Sequence, residues 1–110
     1  MIRTERKGSC VCVELEGEMD HCSARIMKDT IEKAIGDVKV KSLILGLKRV
    51  SFMDSSGVGM LIGRYKTMRE RGGCVFAAGM TPQTEKLFRM AGLHRIITIV
   101  EDKERVTSDE

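Results

Sequence analysis

Proline and aromatic residues are scarce in this sequence: one proline, no tryptophan, one tyrosine and three phenylalanines among 110 residues. With 4% aromatics and no helix-turn-helix pattern, direct reading of nucleic acid is not expected. No apolar run approaches the roughly 20 residues that span a bilayer, and the opening Met1-Ile-Arg-Thr-Glu-Arg-Lys7 lacks the apolar centre of a signal peptide. A cytoplasmic location without membrane contact is the expectation. Cysteine is present but wrongly spaced for a metal: Cys10, Cys12, Cys22 and Cys74 form no Cys-x-x-Cys and no Cys/His cluster of zinc type. They are expected to be reduced thiols, and no metal or cofactor is expected.

What is present is an ordinary folding composition, 42% hydrophobic and 32% charged, with no tract biased enough to stay disordered. A chain of this length builds one hydrophobic core, so residues 1–110 are expected to form a single domain. The net charge of +3 is too small to argue for a polyanionic partner, but its distribution is uneven. Arg64, Lys66, Arg69, Arg71, Lys86, Arg89 and Arg95 are balanced only by Glu70 and Glu85, whereas Glu14, Glu16, Glu18 and Asp20 alternate near the start. Either the basic stretch is a solvated helix face or it meets a partner electrostatically.

Val11, Val13 and Leu15 alternate with Cys12, Glu14 and Glu16, the period of two that predicts a strand over 9–16 with one buried and one wetter face. Residues 1–7 form a weaker strand pattern, and Lys7-Gly8-Ser9 offers a tight turn between two antiparallel strands. Ile26, Met27, Thr30, Ile31, Ala34 and Ile35 follow helical spacing, with Ser23 as N-cap and Gly36 as stop. Residues 41–48 carry Leu43-Ile-Leu-Gly-Leu47, the apolar run of an interior strand. A second helix starts near Asp54 or Ser55, puts Val58, Leu61, Ile62, Tyr65 and Met68 on one face, and ends near Gly72-Gly73. Residues 74–78 form a short strand. Thr81 then caps a third helix with Pro82 at its first position, which buries Leu87, Phe88 and Ala91 and stops at Gly92 ahead of Leu93. Residues 96–100 form the last strand, and 101–110 a charged tail that frays or adds a short helix. The order β-β-α-β-α-β-α-β predicts an α/β fold: a mixed, mostly parallel sheet, with right-handed crossovers placing the helices mainly on one face.

Ser51-Phe-Met-Asp-Ser-Ser-Gly-Val-Gly59 lies at the join of a buried strand and a helix, and ligands and partners meet parallel α/β sheets at the carboxyl ends of strands. Asp54 suits an N-cap, and Ser55 and Ser56 suit a first turn, so capping accounts for the polar residues. It does not account for Gly57, Gly59 and Gly63, each of which costs about 1 kcal/mol in a helix relative to alanine. Either another part of the fold approaches closely there, or a partner does, glycine leaving a shallow surface around the two hydroxyls. A nucleophilic role for Ser55 finds little support: there is no Gly-x-Ser-x-Gly, and His21 and His94 stand in no recognised catalytic order with it. The phosphate-binding pattern Gly-x-x-x-x-Gly-Lys-Ser/Thr is absent. A small serine hydrolase or NTPase is therefore the weaker alternative, and a protein without catalysis of its own is expected.

Phe52-Met-Asp-Ser-Ser-Gly-Val-Gly59, continuing through Gly63-Arg-Tyr-Lys66, together with Gly17-Glu-Met-Asp-His21 and Leu87-Phe-Arg-Met-Ala-Gly-Leu93, resembles the anti-sigma factor antagonists of the STAS domain family. The likeness runs from about Val11 to Val100. It is strongest to the sporulation type that acts on sigma F, while a module of another sigma-factor or general-stress circuit shares the serine motif. The resemblance implies a single STAS-like domain that regulates transcription by partner switching. In such proteins the unphosphorylated antagonist binds an anti-sigma factor that is also a nucleotide-bound serine kinase, displacing the sigma factor. The kinase then phosphorylates the antagonist, and a serine phosphatase restores it. The phosphorylated serine follows the aspartate of the motif, here Ser55, and the acidic residue after the second strand corresponds to Asp20, implicated in kinase recognition. Asp54, Ser56, Gly57 and Gly59 are expected to complete the partner-binding surface.

Asp20 has a local reading as well, as a cap of the first helix beside Ser23. If the second and third strands are neighbours, their carboxyl-terminal loops bring Asp20 near Ser55. Phosphorylation adds about −1.5 to −2 charge at neutral pH. A helix N-terminus tolerates that anion, so the fold should survive, while Asp54 and Asp20 repel it and alter the docking surface.

Overall fold

The computed structural model describes residues 3–102; Met1 and Ile2 of the first strand pattern, and the tail beyond Asp102, lie outside the described residues. β1 (Arg3–Lys7) and β2 (Cys10–Met19) form the expected antiparallel hairpin, with Lys7 paired to Cys10 across the turn. Every residue of β1 is exposed, and its charged side chains discourage a second sheet from adding to this edge. β2 runs past the expected end at Glu16, because Gly17, Glu18 and Met19 still pair with the neighbouring strand.

α1 (His21–Ala34) is capped by Asp20 and not by Ser23. The Asp20 carboxylate accepts from the Ser23 N–H at 2.9 Å, so Ser23 sits at the third helical position and serves the cap through its backbone. Ala24, Met27 and Ile31 form the buried stripe, while Ile26, expected inside, is 63% exposed. One residue of offset turns a helical side chain by roughly 100°, enough to carry Ile26 from the core to solvent.

β3 (Ser42–Met53) begins in the apolar run and extends well past Lys48, where Arg49 and Ser51 disguise a strand in sequence. Its two register shifts against β2 absorb the greater length of β3, so that Met19 and Met53 end opposite each other. α2 (Ser55–Glu70), β4 (Cys74–Ala78) and α3 (Pro82–Met90) follow, then a 3₁₀ turn at Leu93–Arg95 and β5 (Thr98–Val100). Ile96 and Ile97, expected in the last strand, precede it, and Ile97 is buried.

The sheet order is β1-β2-β3-β4-β5, antiparallel at the first pair and parallel at the rest. Val11, Val13, Leu15, Leu43, Leu45 and Leu47 pack in one core with side chains of all three helices, whereas Cys10, Cys12, Ile44 and Ala78 make a smaller cluster on the opposite face. The three helices therefore cover one face, as right-handed crossovers require.

α2 packs its expected apolar face against the core and buries further residues beside it. Gly57, Met60, Leu61, Arg64 and Met68 are buried, while Val58, Ile62 and Tyr65 are only partly so. Arg64, one of the basic residues expected either on a solvated face or against a partner, is 7% exposed and lies 3.7 Å from Glu32 of α1. Its Nε and Nη1 are buried without a hydrogen-bond partner, so the Glu32 carboxylate offsets the charge at ion-pair range and not through a hydrogen bond. β4 pairs only with the first half of β3, from Ser42 to Gly46. α3 flanks the remainder, where the buried Thr84 hydroxyl donates to the Val50 carbonyl at 2.9 Å and satisfies an acceptor at the open strand edge. In α3 Phe88 is buried, but Ala91, expected inside, is exposed at the C-cap.

Candidate functional site

Because β2 and β3 are parallel neighbours that end level, the residues after Met19 and Met53 emerge side by side at one end of the sheet. The Asp54 N–H donates to the Met19 carbonyl at 3.2 Å, tying the two exits together. Both exits use the same local solution. Asp20 and Asp54 each hold extended backbone and turn a carboxylate onto the first amides of a helix: Asp20 accepts from Ser23, and Asp54 from Ser56 at 2.8 Å and Gly57 at 3.2 Å. These bonds satisfy amides that a helix N-terminus leaves without intrahelical partners.

The pairing leaves Ser55 as the first residue of α2, exposed, at the positive end of that helix. Ser56 is half-buried and supplies its N–H to the Asp54 cap. Gly57 does not lie on the docking surface expected for it. It is buried, and a Cβ there would stand 2.6 Å from the Met19 carbonyl oxygen and 2.8 Å from the Met19 Cβ. Close approach of β2 is therefore its role, and this contact sets which stripe of α2 faces the sheet. Gly59 is exposed, and a Cβ at Gly59 or Gly63 would meet nothing within 4 Å. The two open alternatives of the sequence thus divide: packing explains Gly57, and no contact among the described residues explains Gly59 or Gly63.

The Asp20 carboxyl is held below its ordinary value of 3.8, chiefly by the Ser23 N–H, against a smaller opposing effect of desolvation. It is an anion throughout the neutral range. Cys10 and Cys12 are buried on the sheet, Cys22 and Cys74 are exposed, and none of the four is in a disulfide. No group of three or more potential ligands among the described residues is arranged to hold a metal ion. No helix of the described residues is long and apolar enough to cross a membrane.

Phe52 escaped the sequence reading as a separate feature. It belongs to the motif at the strand-to-helix join, and its side chain is 43% exposed. The signal that would have found it, the irregular pairing of β3, exists only once the strands are laid side by side.

Among the described residues, a five-stranded mixed sheet with three helices on one face, and an exposed serine opening the second helix where two parallel strands end together, define an α/β domain whose candidate site lies on an exposed surface. Residues 1–106 match the STAS domain, and the chain belongs to that family. Among its relatives is the anti-sigma F factor antagonist of Paenibacillus polymyxa, 32% identical over 93% of this chain and 87% of the relative. The anti-sigma-B factor antagonist of Bacillus subtilis is 31% identical over 79% of this chain and 78% of the relative. Among solved structures, the Bacillus cell fate determinant SpoIIAA in its phosphorylated form superposes with a TM-score of 0.75 at 28% identity, covering 100% of both chains.

Proposed function

We propose that this chain is an anti-sigma factor antagonist that works in the cytoplasm as one domain, by binding and without catalysis of its own. Its unphosphorylated form binds an anti-sigma factor, itself a serine kinase with bound nucleotide, and so frees the sigma factor. The kinase moves the γ-phosphoryl group of ATP onto Ser55 Oγ, the hydroxyl proton and ADP leaving, and a serine phosphatase returns the hydroxyl by hydrolysis. Asp20, Asp54, Ser56 and Gly59 lie on or beside the contact surface, and Gly57 supports it from beneath.

One juxtaposition carries this reading: an exposed serine at the start of α2, set beside two carboxylate-capped helix ends on paired strands. Phosphate there gains the helix dipole while the Ser56 and Gly57 amides stay with the Asp54 cap, so the fold tolerates it. It also adds about −1.5 to −2 charge beside two carboxylates, a change large enough to abolish docking on the same surface. The names of the relatives support the class of partner.

The test sets Ser55→Ala against Ser55→Asp, each mixed with a purified anti-sigma factor. Ser55→Ala should bind like the wild type and gain no phosphate by mass spectrometry, and Ser55→Asp should stay folded and bind at least about tenfold more weakly. Equal affinity of the two variants would remove the charge mechanism, and phosphate on Ser56 of Ser55→Ala at the wild-type rate would move the switch by one residue. A second reading, service in a general-stress circuit, draws on the nearly equal identity to the anti-sigma-B antagonist. Tighter binding to an anti-sigma-B than to an anti-sigma-F factor would favour it.

A further inference from the structure

We infer that Phe52 is the aromatic anchor by which the anti-sigma factor seats on this chain, an inference that rests on the function proposed above. Phe52 is the penultimate residue of β3, and it stands 43% exposed although Val50 and Met53 on either side of it are buried. In a regular strand residues two apart share a face, so Phe52 should follow Val50 into the core. The second register shift prevents this. Gly17 pairs with Val50 and Glu18 with Phe52, so Ser51 is an extra residue in β3, and Met53 takes the inward place while Phe52 turns outward. Bulges re-aim side chains and recur next to functional sites. Burial of a phenylalanine is among the larger single gains open to a folding chain, and here it is forgone three residues before Ser55.

The surroundings specify the occupant. Glu18, the cross-strand partner of Phe52, is exposed, and the capping carboxylates of Asp20 and Asp54 lie just beyond it at the ends of the same two strands. A complementary surface therefore offers an apolar socket rimmed by lysine or arginine. Any protein that brings a phosphoryl donor to Ser55 must cover this strand end, so socket and phosphoryl donor belong to one partner. Val38, 66% exposed, precedes β3 at the opposite end of the sheet and serves as the control for exposed apolar surface in general.

The experiment measures binding of the full chain to the anti-sigma F factor of Paenibacillus polymyxa and to the anti-sigma factor of the chain's own source, with Ser55 phosphorylation followed in parallel. Phe52→Ala should lose at least about tenfold in affinity, Phe52→Tyr should stay near wild type, and Val38→Ala should be silent. Glu18→Lys should slow association, an effect that fades with added salt. A thermal melt checks that Phe52→Ala remains folded; if it does not, the NMR signals of the Phe52 ring in the wild-type chain must shift on complex formation. Wild-type affinity in Phe52→Ala, an equal loss in Val38→Ala, or unshifted ring signals would each overturn the anchor while leaving the switch intact. A wild-type chain that binds neither factor and gains no phosphate would overturn the switch, and the anchor with it.

Discussion

The starts of α1 and α2 are built alike and offer different chemistry. Each follows a methionine at the end of a parallel strand, each is capped by an aspartate with extended backbone, and the two methionines lie opposite each other in register. Behind Asp20 come His21 and Cys22; behind Asp54 come two serines and then Gly57, Gly59 and Gly63. The difference shows that capping alone does not need the second composition. What α2 adds is an exposed hydroxyl, a glycine that lets β2 approach, and glycines that leave its outer surface bare. Both helix starts carry a capping carboxylate, and that of α2 alone adds an exposed hydroxyl and open space beside its outer glycines.

The largest effect on this comparison should come from beneath α2. Leu61 is fully buried, and Leu61→Ala should destabilise the fold by about 2–5 kcal/mol, read from denaturant unfolding. Unchanged unfolding would mean that the inward stripe of α2 is wrong. Gly57→Ala comes next. Its Cβ would collide with the Met19 backbone, which cannot swing away like a flexible side chain, and the expected loss is about 1–3 kcal/mol. Gly59→Ala should act with the opposite sign. With open space around the new methyl group and a better helix former in place, the fold should gain up to about 1 kcal/mol while anti-sigma factor binding weakens. A stabilised Gly59→Ala chain with wild-type affinity would return Gly59 to a position without function.

These glycines also mark what could be read from the sequence. The order of strands and helices, the cap at Thr81 with Pro82 behind it, and the placement of Ser55 at a strand-to-helix join follow from periodicity and turn chemistry alone. Gly57 and Gly59 look identical in sequence, and only the register of Met19 against Met53 separates the packed one from the open one. Arg64 and Phe52 run against hydropathy, which sends a cation outward and an aromatic inward: Arg64 is buried beside Glu32 of α1, and the extra residue in β3 turns Phe52 out. Ser23 gave way to Asp20 because both suit a cap, and the true end of β2 lies beyond the visible alternation.

The smallest effect concerns the charge of the α1 cap. The Ser23 N–H, helped by the Ser23 hydroxyl and the Cys22 N–H, holds the Asp20 carboxyl below its ordinary value of 3.8. A carboxyl whose value is lower in the folded than in the unfolded chain stabilises the fold fully above the unfolded value, and this contribution disappears as pH falls through the folded one. Asp20→Asn removes the titration but keeps an acceptor oxygen, and asparagine caps about as well as aspartate. The two chains should therefore melt alike near neutral pH, and their difference should change only below about pH 4, where the wild type loses its share and the variant has none to lose. Asp37 provides the control: the Lys39 N–H, then the Arg6 guanidinium, lower its carboxyl in the same way at a place remote in sequence from both helix starts, so its acid-limb contribution persists in Asp20→Asn. Parallel unfolding curves from pH 7 down to pH 2 would show that the cap at Asp20 does not depend on its charge. If the neutral melting points agree while anti-sigma factor binding falls, the carboxylate of Asp20 serves the partner and not the helix, and the two helix starts differ less than their sequences suggest.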